Sequence, residues 1–120
     1  MRRKPPFASG RIGGDYEPLF LYWEAARGAG REDLVESSML GEDDYRLVRE
    51  LAGRVSSLGE LLDILVERMY GRIDPEVARE AYRRYGVEAS GEDARLLLAR
   101  LLAAWLIEAA EYWGYIRLRS

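Results

Sequence analysis

The sequence predicts an all-α protein: a compact bundle of five to six helices around a buried C-terminal helix at about residues 92–113, with a flexible basic N-terminal arm and a short extended C-terminal tail. Three observations lead there. Apolar residues recur at helical spacing through most of the chain, and Pro and Gly gather at a few points instead of breaking it at short, even intervals. One stretch, Glu92 to Trp113 (EDARLLLARLLAAWLIEAAEYW), is apolar on nearly every side. A helix of that kind needs neighbours to cover it, and the one-faced helices upstream are suited to the task.

Residues 1–14 read as a basic Pro/Gly-rich arm without periodicity, with Phe7 and Ile12 as apolar anchors, and residues 15–120 as a single helical domain. Pro18 and Gly28 frame a short buried helix over Leu19–Arg27, with Leu19, Phe20, Tyr22, Trp23 and Ala26 crowding one side. A brief helix follows over Arg31–Leu40, with Leu34, Val35 and Met39 inward. Gly41 resets the chain. Glu42, Asp43 and Asp44 then fall in a first helical turn, where negative charge is favoured, ahead of Tyr45, Val48, Leu51, Ala52 and Val55. Ser57 with Glu60 has the capping-box spacing before the amphipathic run Leu58, Leu61, Leu62, Leu65, Met69, which Gly71 closes. Asp74 caps the next helix with Pro75 at its first position, Val77, Ala78, Ala81, Tyr82 and Tyr85 inward, Gly86 as its stop and Val87 as the apolar contact beyond it.

Ser90 with Asp93 marks the start of the central helix and Gly114 its left-handed end. At a period of 3.6, Asp93, Leu97, Arg100, Ala104, Glu108 and Glu111 share one narrow stripe, expected to be the wet side. Leu98, Leu101, Leu102, Trp105, Ile107, Ala109 and Tyr112 cover the remainder, and Trp105 reads as core. A membrane span needs ~20 apolar residues, and Arg100 and Glu108 interrupt this run, so no membrane is expected. After Gly114, Tyr115–Arg119 alternates as YIRLR, an extended tail with Ile116 and Leu118 on one side, lying on the bundle or pairing with a partner chain.

What is missing restricts the chemistry. The chain has no Cys, His, Asn, Gln or Thr. The usual zinc ligands, the imidazole base of the common triads and the thiolate nucleophile are therefore excluded within one chain. Glu108 and Glu111 have the i, i+3 spacing of a carboxylate di-iron motif, but no imidazole accompanies them. Gly10, Gly13 and Gly14 lack the Lys-Ser/Thr of a phosphate loop. No catalytic residue, cofactor or metal is expected. The loss of Cys, Asn and Gln fits adaptation to heat, and a basic start without an apolar run fits a cytoplasmic protein.

The segment LGELLDILVERM, Leu58 to Met69, resembles the long-helix pattern of the helical chorismate mutases, all-α enzymes whose pockets bind a dianion with several arginines. The chain lacks the lysine expected shortly after that segment and the amide-bearing site residue, so the resemblance transfers no site role.

The formal charge of −3 is unevenly spread. Arg2, Arg3, Lys4 and Arg11 make residues 1–14 basic, Arg117 and Arg119 do the same at the other end, and the body between is acidic. Three Trp and eight Tyr supply side chains enriched at interface hot spots. The expected function is a non-enzymatic interaction or assembly subunit with a protein partner or a second copy of itself. The alternatives are a nucleic-acid-binding accessory subunit, using Arg2, Arg3, Lys4, Arg11, Arg83, Arg84, Arg117 and Arg119, and a small all-α enzyme with an Arg-lined anion pocket.

Overall fold

The computed structural model describes residues 11–118, and over that span every regular element is a helix. There are six: α1 (Glu17–Gly28), α2 (Glu32–Ser37), α3 (Glu42–Ala52), α4 (Leu58–Tyr70), α5 (Pro75–Tyr85) and α6 (Gly91–Tyr112). The long C-terminal helix is the axis of the bundle. It packs against α1, α3, α4 and α5, α1 and α5 also pack on each other, and α2 lies on α1. Every residue of α6 from Leu102 to Ala110 is buried, as are Ala94, Leu98 and Ala99 nearer its start.

Helix α4 runs antiparallel to α6. Its last residue, Tyr70, donates its hydroxyl to Glu92 in the first turn of α6, and Arg95 returns a 3.0 Å bond from Nε to the Tyr70 carbonyl while its guanidinium stands 4.1 Å from the ring centroid. On the far side, the Tyr22 hydroxyl accepts the Asp74 amide at 3.0 Å, tying α1 to the start of α5. Asp44, buried at the head of α3, accepts the Gly41 amide at 2.8 Å and pairs with Arg72 just past α4, so one carboxylate both caps a helix and joins two. The acidic first turn of α3 therefore serves as a cap and a crosslink.

Most helix ends fall where the sequence places them. Asp74 Oδ2 accepts the Val77 amide at 3.0 Å, and Ser57 and Ser90 Oγ accept the Glu60 and Asp93 amides at 3.1 Å. The reciprocal half of the expected capping boxes differs: Glu60 reaches Ser56 instead of Ser57, and among the described residues Asp93 makes no return bond. Gly114 is left-handed at φ 84°, which frees the Tyr115 amide to bond the Ala110 carbonyl at 2.8 Å and turns the chain back along the bundle. The first helix stops later than expected. It begins at Glu17 and continues to Gly28, and the left-handed turn is made by Gly30, whose neighbour Arg31 donates to Ala26.

The packing corrects five assignments, the first being Tyr85, expected inward on α5 and exposed. Ala104 and Glu108, placed on a wet stripe, are buried, so that stripe is wet only toward its ends. Met39, expected inward, and Tyr112, expected to cover the core, are exposed: Met39 lies past the end of α2 at Ser37, and Tyr112 is the last residue of α6. Val87 follows Gly86 in the expected turn, donating to Tyr82, but its side chain is exposed instead of packed. The tail from Tyr115 lies on the bundle, with Ile116 and Leu118 half-buried against the core and no strand among the described residues.

Leu106 is fully buried on α6 and Leu97, on the same helix, is 37% exposed. Urea denaturation is expected to show Leu106→Ala losing about 3 kcal/mol, and Leu97→Ala less than about 1 kcal/mol.

Candidate interaction surface

Two carboxylates one turn apart on α6 gather both ends of the described chain. Glu108 is buried, and its Oε2 accepts the hydroxyl of the fully buried Tyr16 and, at 3.3 Å, the amide of Ile12. Glu111 takes the guanidinium of Arg11 on one oxygen and the amide of Leu118 at 3.1 Å on the other. The end of the expected mobile arm, residues 11–14, is thereby fastened to the core beside the C-terminal tail. The approach is close: a Cβ on Gly13 would stand 2.5 Å from Cε1 and 2.6 Å from the hydroxyl of Tyr16, so no larger residue fits without displacing that ring.

Burial pushes the Tyr16 phenol far above its ordinary value, with the hydrogen bond to Glu108 and that carboxylate's charge adding to it and the Gly13 backbone opposing. The sequence reading missed this site because Glu108 falls on the same helical stripe as Arg100 and Glu111. Its position between Ala104 and Ala110 in an otherwise apolar stretch was the available signal.

Where the two ends of the described chain pass α4, the surface formed by the described residues is left open. A trough of about 790 Å³ is lined by Val55, Leu58, Leu61 and Leu62 from one side and by Ile12, Ile116 and Leu118 from the other, with Arg11 and Arg117 among its walls. It shares Ile12 and Leu62 with a second hollow of about 370 Å³ farther along α4, where Val66, Leu101 and Ala104 form the floor and Asp63 and Arg100 the edges. Most of these apolar side chains are half-buried, and Leu58 is 40% exposed.

The sequence-selected arginines do not form one patch. Arg11 and Arg117 both line the trough. Arg83 and Arg84 project from α5 and share Glu80, whose carboxyl those two guanidiniums pull down to about 2. Arg2, Arg3, Lys4 and Arg119 lie outside the described residues.

A second, smaller feature surrounds Trp105. Its indole is buried and meets the rings of Tyr16, Phe20 and Trp23 edge-on at 5.0, 5.6 and 6.0 Å between centroids. Trp23 Nε1 donates to Ser38 Oγ at 2.8 Å, and that hydroxyl donates to the Leu34 carbonyl, which locks α2 onto α1. A cavity of about 230 Å³ remains between this cluster, Tyr45 and Met39. Trp105 is thus core first and cavity wall second.

Among the described residues no group of three acidic, His or Cys side chains is placed to hold a metal ion, and no helix is long and apolar enough to cross a membrane. No protein-family model, curated protein or solved structure matches the chain.

The buried phenols make an alkaline limb in stability. Tyr16 and Tyr22 are raised above 10.0, chiefly by burial, and Tyr82 is pushed up to about 12 for the same reason. Once the pH passes the unfolded phenol value, the unfolded chain releases protons that the folded chain keeps, so stability is full below that pH and falls above it. Urea midpoints measured from pH 8 to 11.5 should fall at the upper end, and Tyr16→Phe should make the fall shallower.

Proposed function

We propose that this chain is a non-enzymatic interaction or assembly subunit that docks a protein partner, or a second copy of itself, through the trough along α4. The observation that carries the reading is the row of apolar side chains, the exposed Leu58 and the half-buried Leu62, Ile12, Ile116 and Leu118, presented side by side in an open groove. Such a row loses more water-exposed apolar surface on docking than scattered surface leucines would. The exposed pair Tyr112 and Trp113, packed edge-on at the end of α6, adds side chains of the type that anchor interfaces.

Two alternatives are served less well. A nucleic-acid surface on the same arginines would have to part Arg11, Arg83 and Arg84 from the carboxylates they engage. An anion-binding enzyme pocket would want its guanidiniums converging, whereas the trough is mainly apolar with arginines at its margins. The chemistry available without imidazole or thiol agrees with recognition by contact.

Leu58 is the first residue of α4, where a carboxylate is compatible with the helix start, so Leu58→Asp alters the trough with little cost to the fold. Light scattering and co-purification from native lysate are expected to show self-association or a partner that Leu58→Asp removes while the circular dichroism spectrum is kept. A strict monomer with no Leu58-dependent partner overturns the reading.

A further inference from the structure

We infer that the occupant of the trough is an acidic amphipathic helix of a partner protein, an inference that rests on the docking reading above. The floor follows α4 from Leu58 to Val66, about 12 Å at 1.5 Å per residue. That is two turns of helix, the span over which residues at i, i+3, i+4 and i+7 anchor a helix in a groove.

The margins specify the charge. Arg117 edges the part of the trough near the start of α4, and Arg100 edges the part beyond Leu62. Both are exposed, and among the described residues neither makes an ion pair. Arg11, also on the margin, is neutralised by Glu111, and among the described residues Asp63 is the one acid along the lining. The chain is acidic as a whole at −3, so this edge is locally opposite in sign to the protein that carries it. Acidic residues at both ends of a docked helix would meet a guanidinium at each end and steer it into register.

A fatty acid or other single-headed lipid fits less well. It offers one anionic group where the trough places two separated cations, and it favours an enclosed cavity over an open groove. A second copy of this chain would bring its own acidic α4, whose free apolar residues Leu58, Leu62 and Val66 lie half-covered beside Ile12, Ile116 and Leu118 in the same trough and so present a groove where a projecting helix face is needed.

The test uses the full chain and two fluorescein-labelled peptides of about 18 residues, long enough to populate helix in water. Both carry leucines at i, i+3, i+4 and i+7. One is flanked by glutamates and the other by lysines. Fluorescence anisotropy should show the glutamate peptide binding at least about tenfold more tightly than the lysine peptide. Arg117→Glu and Arg100→Glu should each weaken it about fivefold, the double variant should reverse the preference, and Leu58→Asp should weaken both peptides.

Equal binding of the two peptides, a preference for lysine, or binding indifferent to Arg100 and Arg117 overturns the inference. So does displacement of the glutamate peptide by submicellar laurate with no effect of Arg100→Glu, which would mark a lipid site. If the peptides fail while a Leu58-dependent partner or self-association persists, the partner chemistry is wrong and the docking reading stands. If both fail, the docking reading falls with it.

Discussion

A helix that is apolar around its whole circumference exists in water only when something covers it on every side, and from Leu102 to Ala110 α6 is such a helix. That requirement arranges the rest of the molecule. Four helices are drawn to one axis, α1 and α5 close against each other on one flank, and α4 lies antiparallel on another. The contacts that orient them are few and polar. Tyr22 with Asp74, Tyr70 with Glu92, and Asp44 with Arg72 each join elements distant in sequence, and they select one arrangement from those the apolar faces alone would tolerate.

Glu108 shows what complete coverage demands. A carboxylate within the apolar wall is costly unless donors meet it, and the donors come from outside the regular helices: the hydroxyl of Tyr16 and the amide of Ile12. The segment before α1 is therefore part of the core. Irregular chain fills less width than a helix, however, so where the turn at residues 11–14 and the tail from Tyr115 serve as cover they leave a gap beside α4. The trough is the geometric remainder of sheathing a helix partly with irregular chain.

Much of this architecture was legible in the residues. The all-round apolar stretch, the Asp74-Pro75 start, the Ser57 and Ser90 caps and the Gly114 turn are local signals whose physics does not depend on the remainder of the fold. What escaped was non-local. Glu108 and Arg100 share a helical stripe, and only the position of Tyr16 decides that one is buried and the other wet. Met39 and Tyr112 have core composition but lie at helix ends, Met39 past the end of α2 and Tyr112 as the last residue of α6. The trough was unreadable for the same reason: it is built by four segments that periodicity analyses one at a time. Of the basic residues at the chain ends and on α5, Arg11 and Arg117 are together and Arg83 and Arg84 are held on Glu80.

Glu111 carries one further implication. Its two oxygens hold Arg11 and the Leu118 amide, so two points separated by nearly the whole chain are neighbours in space. The path leaves the bundle beside the place where it enters. A short bridge between those points, with the backbone reopened at the exposed turn of Gly53 and Arg54, would reorder the helices along the chain without separating any pair that touches. Connectivity, in this protein, is nearly independent of packing.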